Sequence, residues 1–365
     1  MCFSHGGNAG TDDRPPIHPL LCILPPYMLE EIAKHGTPEQ RAAARAALAA
    51  DEAIRSLRAA TTPAHRAARR VAPKKPVTPK KRRTIYDAGG AEKLPGKVAR
   101  REGAKSQGDV AVDEAYAGLG TTFDFYRVAY GRNSIDDAGF PLKATVHYGI
   151  RYDNAFWNGK QMVFGDGDGR LFNRFTSSLD VIGHELAHGV TAHEAGLVYL
   201  EQPGALNESL SDVFGSLIKQ YSLKQDAAQA DWLIGASLFT SKVKGVALRS
   251  MKAPGTAYND PVLGKDPQPA HMKNFVVTTR DNGGVHINSG IPNRAFYLAA
   301  TAIGGKAWEA AGRIWYETLR DPKLKADAKF AAFAKLTVAT AGRLYQPAGK
   351  EAAAVTAAWK QVGVL

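Results

Sequence analysis

Cysteine is rare in this sequence, and long apolar segments are absent. The two cysteines, Cys2 and Cys22, lie near the N-terminus, so the rest of the chain cannot contain a disulfide. The most apolar run, residues 20–24, is ended by two prolines and is much shorter than the about 20 residues of a membrane-spanning helix. Residues 1–10 lack the basic and apolar regions of a secretory signal. The sequence therefore predicts no membrane contact and gives no support for classical export.

Acidic residues are missing from 53–83, an interval that holds eleven lysines and arginines. The net charge of +12 is therefore uneven, since residues 1–83 carry +8 and residues 84–365 carry +4. Basic side chains can neutralise phosphates, but this interval has no Phe, Tyr or Trp and no groove-reading motif. A solvated, protease-sensitive linker is the better interpretation, and we expect no specific nucleic-acid partner.

The pattern along the chain predicts three regions. Thr37 and Pro38 have the form of a helix start, and an alanine-rich helix to about Ala60 follows. Prolines and like charges at 71–83 then predict a domain boundary. Strand-like aromatic and β-branched runs dominate to about residue 164, and helical patterns follow from about residue 179. We expect an N-terminal piece over 1–83 with a linker at about 61–83, a β-rich lobe over 84–178 and a mainly helical lobe over 179–365. The predicted fold class is α+β.

The segment His184-Glu185-Leu-Ala-His188 matches the motif H-E-x-x-H in an apolar, helix-compatible stretch. Four residues along a helix advance about 6 Å and about 400°, so the two imidazoles stand on nearly the same face and can bind one metal ion. Glu185, about 100° from His184, can reach a water on that ion without being a ligand. A helical pair of histidines is also found as a surface or core feature, so further ligands have to be identified.

Glu208 offers the third ligand, since catalytic zinc typically takes three protein ligands. It follows His188 after a segment long enough to reverse the chain, and it opens a second helix with apolar periodicity. Asp212, one turn later on the same face, is placed to accept a hydrogen bond from the outer nitrogen of a ligand imidazole. Apolar neighbours weaken the alternative of a solvated acidic face. We predict one zinc ion bound by His184, His188 and Glu208.

Further motifs occur in an order that resembles one family. They are Asn154-Ala-Phe-Trp157, Ala195-Gly-Leu-Val-Tyr199, Asn207-Glu-Ser-Leu-Ser-Asp212, Leu248-Arg-Ser-Met251 and Asp281-Asn-Gly-Gly-Val-His286-Ile-Asn-Ser-Gly290. With H-E-x-x-H, they resemble the thermolysin-like zinc metalloendopeptidases over roughly residues 84–365. Residues 1–83 resemble the short propeptide of the protealysin-like branch, whose hallmark is similar to Pro25-Pro-Tyr-Met-Leu29.

The resemblance implies a two-lobe metalloprotease fold, with the H-E-x-x-H helix between the lobes. It implies that zinc lowers the pKa of its water and that Glu185 takes the proton as the water attacks the scissile carbonyl. Tyr199 and His286 would then stabilise the negative charge on the carbonyl oxygen. Asp281 would orient the His286 ring and favour its cationic form.

The resemblance also implies a substrate site. Asn154, with the backbone of Ala155 and Trp157, is similar to the edge that pairs with substrate main chain. Arg249 resembles the residue that binds the carbonyl just beyond the cut. Four apolar residues match the lining of the family's specificity pocket: Phe172, Phe175, Val181 and Leu248. We therefore expect a large hydrophobic residue after the scissile bond.

One departure from the family pattern concerns calcium. The family's type members bind a pair of calcium ions through several carboxylates. Asp180 and Asp231 match two of those ligands, but Lys219, Leu233 and Ala236 stand where three further acids are expected. Because a hard cation needs these oxygens, we predict that the calcium pair is absent and that Lys219 pairs with Asp180 or Asp231.

A propeptide also explains the basic linker, because a cut at the exposed residues 80–83 would release the enzyme. Two modes of inhibition remain open. In one, a Cys22 thiolate occupies the fourth zinc position. In the other, Cys22 packs with its apolar neighbours while Pro25, Pro26 and Tyr27 dock in or near the cleft.

These observations predict a zinc-dependent endopeptidase made as a latent precursor. Its partners would be peptide and protein substrates and, before processing, its own propeptide in the cleft. The alternative is a catalytically inactive peptide-binding scaffold of the same fold. The resemblance favours a secreted monomer, and the lack of a signal segment leaves the cytoplasm as the alternative location.

Overall fold

The computed structural model of the protein describes residues 21–59 and 79–365. Within these residues a six-stranded sheet and one long helix form the first lobe, and helices form most of the second. The predicted combination of a β-rich part and a helical part is therefore confirmed. No helix in the described ranges is both long and apolar enough to cross a membrane.

The N-terminal segment docks onto the first lobe as a short strand and two helices, β1 (Leu21–Cys22), α1 (Pro26–His35) and α2 (Pro38–Ala59). The predicted helix start is confirmed, since Gln40 N donates to Thr37 Oγ1 at 3.3 Å and Thr37 N donates to Gln40 Oε1 at 2.9 Å. On α1, Met28, Leu29 and Ile32 are buried in the core that the catalytic lobes share. The segment is thus attached through an apolar helix face.

The sheet combines parallel and antiparallel pairs. Its other strands are β2 (Arg83–Asp87), β3 (Lys97–Arg101), β4 (Leu142–Val146), β5 (Ala155–Trp157) and β6 (Met162–Phe164). The order across the sheet is β1-β5-β6-β4-β2-β3. The pairs β2–β4 and β4–β6 are parallel, and the others are antiparallel. The N-terminal segment therefore supplies one edge strand and covers the edge of β5.

A helix, α3 (Val110–Tyr130), lies where the sequence pattern predicts strands. The Asp109 carboxylate caps its start by accepting a hydrogen bond from Val112 N at 3.0 Å. Gly131 ends it in the left-handed conformation, with φ at 69°. The expectation that strands dominate from 84 to about 164 is wrong here, because caps at both ends and a buried helix face outweigh the strand propensity of aromatic and β-branched residues.

Within the described part of the chain, seven α-helices build most of the second lobe: α4 (Leu179–Glu194), α5 (Glu201–Leu223), α6 (Asp281–Asn288), α7 (Gly290–Ile303), α8 (Ala311–Leu319), α9 (Phe330–Leu344) and α10 (Lys350–Gln361). Two small hairpins lie between α5 and α6 and contain β7 (Leu233–Ile234), β8 (Arg249–Ser250), β9 (Asn259–Asp260) and β10 (Gly264–Lys265). The helical pattern predicted from about residue 179 is therefore confirmed.

Helices α4 and α5 pack closely because glycines lie where they meet. A Cβ atom at Gly183 would lie 2.7 Å from Ile218 Cδ1, and one at Gly215 would lie 2.4 Å from the Asp180 carbonyl oxygen. Any larger side chain at these positions would push the two helices apart. This close approach brings polar residues of both helices within reach of one another.

The basic residues before the first lobe are only partly exposed. Arg83 begins β2, and its guanidinium binds the Glu102 carboxylate with an Nη2–Oε1 distance of 2.6 Å and an Nε–Oε2 distance of 2.7 Å. It also lies 3.6 Å from the centroid of the Tyr116 ring. The expectation of an exposed cluster at 80–83 is thus right for Lys80 and Arg82. It is wrong for Lys81, which binds the Asp124 carboxylate, and for Arg83, which is anchored in the sheet.

Arg83→Ala is expected to lower the free energy of unfolding by about 1–3 kcal/mol, because it removes charge-assisted hydrogen bonds to Glu102. These bonds lower the pKa of Glu102 from 4.5 to about 2. The pair therefore stabilises the fold fully above about pH 4.5, and this stabilisation is lost as the pH falls toward 2. Urea unfolding at pH 7 and pH 2.5 measures the effect. Lys80→Ala, at an exposed side chain, is the control, and an Arg83→Ala defect of equal size at both pH values would contradict the ion-pair account.

Candidate metal centre and substrate cleft

Three buried side chains from two helices meet at one point. His184 and His188 lie on α4 and Glu208 lies on α5, and each is at most 1% exposed. The two imidazole Nε2 atoms are 3.0 Å apart, and each is 3.5 Å from a carboxylate oxygen of Glu208. Across the described residues, no other three His, Cys, Asp or Glu side chains bring their ligand atoms this close together. Two imidazole nitrogens and one carboxylate form a donor set typical of catalytic zinc.

The outer nitrogen of each imidazole is also held. His184 Nδ1 lies 2.8 Å from Asp212 Oδ1. His188 Nδ1 lies 2.8 Å from Asn207 Oδ1 and 2.9 Å from Ser211 Oγ. These contacts fix both rings and leave their Nε2 atoms for a metal ion, so the residues fit zinc.

The two imidazoles differ strongly in proton affinity. Burial lowers the pKa of His184, but Asp212 and Glu208 outweigh burial and raise that pKa to about 9. Burial lowers the pKa of His188 to about 3, and the charge of His184 acts in the same direction. A metal ion that binds here therefore displaces a proton from His184, which makes its affinity dependent on pH.

Asp212 is the centre of a buried hydrogen-bond network. Its Oδ1 accepts from His184 Nδ1 and Arg249 Nη2, and its Oδ2 accepts from Arg249 Nε and Asn293 Nδ2, all at 2.8 Å. Each of these residues is at most 1% exposed. Burial raises the pKa of Asp212, but Arg249 and His184 outweigh burial and hold that pKa at about 2. The carboxylate is therefore ionised although it is buried.

Three uncharged residues that hold His188 or Asp212 are not predicted from the sequence: Asn207, Ser211 and Asn293. Asn207 directly precedes Glu208, and Ser211 directly precedes Asp212, so the polar face of the second helix is a signal that could have revealed both. Asn293 has no such signal, because it lies on α7 and reaches Asp212 across 81 residues of chain.

Glu185 faces β5, the strand that borders the cleft. Its Oε2 accepts a hydrogen bond from Trp157 N at 3.1 Å. Its Oε1 is buried and has no hydrogen-bond partner among the described residues. Burial raises the pKa of Glu185 well above its ordinary value. A carboxylate with one fixed and one unused oxygen beside the metal-binding group is suited to accept a proton.

Tyr199 and His286 both reach Glu208. The Tyr199 hydroxyl donates to Glu208 Oε1 and lies 3.2 Å from His286 Nε2, which is 3.6 Å from Glu208 Oε2. Asp281 holds His286 at two points, with Oδ1 at 2.5 Å from Nδ1 and Oδ2 at 2.8 Å from the backbone nitrogen. Burial lowers the pKa of His286, but Glu208 and Asp281 outweigh burial and raise it. The structure thus brings the predicted Tyr199, His286 and Asp281 together.

The N-terminal segment fills the cleft beside these residues. β1 is antiparallel to β5, with Leu21 opposite Trp157 and Cys22 opposite Phe156. Farther along, Ile23 N donates to Ala155 O at 3.2 Å. The segment therefore continues the sheet across the cleft.

Two other predicted substrate residues bind the same segment. Asn154 Oδ1 accepts from Leu24 N at 3.1 Å, and Arg249 Nη1 donates to the Ile23 carbonyl at 3.3 Å. The four residues expected to hold substrate main chain therefore all contact or pair with the N-terminal segment: Asn154, Ala155, Trp157 and Arg249.

The remaining predicted residues of the N-terminal segment lie close to the cleft. Cys22 belongs to β1, and its sulfur is not in the group of converging ligand atoms. Pro25 and Pro26 are buried at the start of α1, and the phenol oxygen of Tyr27 is buried as well. These positions agree with docking of Pro25, Pro26 and Tyr27 in or near the cleft.

The four predicted pocket residues are all buried in the apolar core. Phe172, Phe175, Val181 and Leu248 are each at most 1% exposed, and the ring centroids of the two phenylalanines are 5.9 Å apart. Ile23 of the N-terminal segment belongs to the same apolar core.

Lys219 occupies the region where the calcium ligands are expected. Its Nζ lies 2.9 Å from Asp180 Oδ2 and 2.9 Å from Asp231 Oδ1, and it donates to the Leu233 carbonyl at 2.7 Å. The predicted pairing of Lys219 is thus present with both aspartates. Ala236 follows β7 and is partly exposed. One ammonium group therefore links α5 to the start of α4 and to β7.

Comparison with known proteins finds a match along most of the chain. The family description "Thermolysin metallopeptidase, catalytic domain" matches residues 77–192, and "Thermolysin metallopeptidase, alpha-helical domain" matches residues 195–364. The chain is 54% identical over 346 residues to an extracellular metalloprotease of Pectobacterium carotovorum subsp. carotovorum, covering 95% of this chain and 97% of that protein.

A second sequence relative and one solved structure are also similar to this chain. An extracellular minor metalloprotease of Serratia marcescens is 44% identical over 295 residues, which is 80% of each chain. The solved structure of a precursor of protealysin, a metalloproteinase from Serratia proteamaculans, is 56% identical and superposes with a TM-score of 0.86. The superposition covers 94% of this chain and 100% of the protealysin precursor chain.

Asp212→Asn is expected to weaken zinc binding about 10–100-fold, because His184 loses a charged partner. It is also expected to destabilise the fold by about 3 kcal/mol, since Arg249 stays buried without a countercharge. Competition with a chromophoric chelator measures the first effect, and urea unfolding measures the second. The comparison variant, Asn293→Ala, removes one hydrogen bond to the ionised carboxylate and should cost about 1.5–3 kcal/mol, but it keeps the charge that faces His184. Unchanged zinc affinity in folded Asp212→Asn would refute the role of this carboxylate.

Proposed function

The chain belongs to the thermolysin family of metallopeptidases, and we propose that it is a zinc endopeptidase made as a latent precursor. One observation carries this proposal. The side chains of His184, His188 and Glu208 converge on one point, with the unused oxygen of Glu185 nearby and a strand edge for substrate beside it. The substrates would be peptides and proteins, as for other peptidases of this family.

Zinc, when held by His184, His188 and Glu208, would acidify a water molecule and polarise the scissile carbonyl. Glu185 is the proposed general base. Trp157 fixes one of its carboxylate oxygens, and the other is available to take a proton from the attacking water. The same carboxyl then gives that proton to the leaving amine.

Tyr199 and His286 are the proposed donors to the carbonyl oxygen as it becomes negative. Their polar atoms lie side by side at Glu208, and Asp281 keeps the His286 ring in place. The raised pKa of His286 favours its cationic form, which stabilises an anion better than neutral imidazole does.

Substrate main chain is proposed to bind along β5, with hydrogen bonds to Asn154, Ala155 and Trp157 and with Arg249 on the carbonyl beyond the cut. The pocket beyond the cut is formed by Phe172, Phe175, Val181 and Leu248. An apolar pocket of this kind prefers a large hydrophobic residue, since burying such a side chain is favourable by about 1.5–3 kcal/mol.

The predicted division is a propeptide over 1–83 with a linker at about 61–83, followed by catalytic lobes at 84–178 and 179–365. We propose to move the start of the first lobe to Arg83, where β2 begins. The contacts of β1 with β5 and of Ile23 with Arg249 support inhibition by occupation of the cleft. The anchoring of Arg83 in the sheet favours a processing cut on the N-terminal side of that residue.

We also propose that the enzyme is secreted and acts as a monomer. Two similar proteins are named extracellular, which supports secretion. A cytoplasmic location is the alternative.

The calcium pair of the family's type members is proposed to be absent. The Lys219 ammonium binds two aspartates and one carbonyl, which supplies positive charge and satisfies the oxygens that a divalent ion would otherwise bind. Burial lowers the pKa of Lys219, but Asp180 and Asp231 outweigh burial and raise it, so the charge is permanent at neutral pH.

Glu185→Gln is expected to lower kcat on a peptide with Leu or Phe after the scissile bond by about 10³-fold or more, because it removes the general base. A zinc chelator should abolish the activity of the wild-type protein. The comparison uses the processed protein, with zinc content measured for both forms. If the processed wild-type protein is folded and zinc-loaded yet inert on varied peptides, it is the peptide-binding scaffold instead.

The wild-type melting temperature is expected to be the same in calcium and in a calcium chelator. Lys219→Glu would place a third carboxylate beside Asp180 and Asp231, which should lower stability by about 3 kcal/mol without calcium and raise the melting temperature when calcium is added. Lys219→Met is the matched control, because it loses the ammonium without adding a ligand. A wild-type melting temperature that rises with calcium would contradict the predicted absence of the pair.

A further inference from the structure

The segment in the cleft is bound as an extended peptide, through its main chain. β1 is antiparallel to β5, and the hydrogen bonding continues past the strand through Ile23 N to Ala155 O at 3.2 Å and Leu24 N to Asn154 Oδ1 at 3.1 Å. These are the groups proposed to hold substrate, and main-chain pairing with a strand edge is a common way to bind peptides. The segment therefore binds in the way proposed for a substrate, in addition to blocking access to the cleft.

Arg249 identifies which bond of the segment lies at the reacting position. Under the proposed function, on which this inference rests, Arg249 binds the carbonyl of the residue directly after the cut. In the structure its Nη1 donates to the carbonyl of Ile23 at 3.3 Å. The bond before Ile23, the Cys22–Ile23 peptide bond, is therefore the one presented for hydrolysis.

Two other observations agree with this register. Ile23 is a large apolar residue with 0% exposure, as the pocket beyond the cut requires. Cys22 lies opposite Phe156, and the neighbouring Trp157 donates its N–H to Glu185 Oε2 at 3.1 Å. The proposed general base and the Cys22 main chain thus border the same short stretch of β5.

We propose that the Cys22–Ile23 bond is a self-cleavage site within the inhibitory segment. The oxygen of a water molecule bonds to the Cys22 carbonyl carbon as the carbon–nitrogen bond breaks. The proton that Glu185 takes from the water passes to the nitrogen of Ile23. The products are a carboxyl group on Cys22 and an amine on Ile23.

The chain on the C-terminal side of this bond is held by contacts that do not involve the bond itself. After the cut, the chain that begins at Ile23 keeps its bonds to Asn154 and Arg249 and stays attached through the buried face of α1. On the other side, the described contacts with β5 are those of the two residues of β1. The new amine end therefore remains in the cleft, so the segment inhibits even after one cut.

Mass spectrometry of zinc-loaded full-length protein tests the proposal. We expect a fragment of residues 1–22 and a chain that begins at Ile23. The rate should not depend on protein concentration, because the segment is cut in its own cleft. Full-length Glu185→Gln should form neither product. Ile23→Asp should slow this cut at least about tenfold, since a carboxylate would have to enter an apolar pocket.

Cys22→Ser is the matched control and should be cut at the same bond, because the register depends on main-chain bonds and on Ile23. Cleavage at another bond within residues 20–30 would overturn the proposed site. No cleavage there would also overturn it, provided that the same preparation after processing hydrolyses a test peptide with Leu or Phe after the scissile bond. A preparation that cleaves neither would overturn the proposed function itself, and the self-cleavage site with it.

Discussion

The ionised carboxylate of Asp212 is the interaction on which the rest of the site depends. A charge that is fully buried is tolerated only when charged and polar partners surround it. Here the partners come from three elements: His184 on α4, Arg249 on β8 and Asn293 on α7. One carboxylate therefore positions both an imidazole of the metal-binding group and a guanidinium that reaches the cleft. Because α4 and α5 approach closely at Gly183 and Gly215, His184 on α4 lies within hydrogen-bond distance of Asp212 on α5.

The edge of β5 has the second organising role. An unpaired strand edge presents backbone donors and acceptors that bind an extended chain of almost any sequence. In the structure β1 covers this edge at Phe156 and Trp157, and Arg249 binds the carbonyl that follows. The groups proposed for substrate are thus engaged by the N-terminal segment, so latency needs no separate inhibitory site. Because the N-terminal segment binds as a substrate would, it also presents a peptide bond, proposed to be Cys22–Ile23, for hydrolysis.

The sequence predicts the parts of the site that depend on short spacing. His184 and His188 share a helix face because they are four residues apart, and the same argument relates Glu208 to Asp212. Whether these two pairs meet depends on how α4 packs against α5. That meeting was predicted only from the family resemblance. The helix α3 was predicted as strand, because the caps at Asp109 and Gly131 carry less weight in a propensity argument than a run of aromatic residues does.

By itself, the sequence determined the local features: the H-E-x-x-H helix and the capped start of α2. Only the tertiary structure decided that Asn293 completes the partners of Asp212, that Lys219 bonds both aspartates, and that Arg83 is anchored to Glu102. It also decided that Ile23 lies against Arg249. The physical reason is the distance along the chain between the residues in contact. Local patterns follow from helix and strand periodicity, whereas these contacts join residues far apart in the chain and depend on the packing of several elements at once.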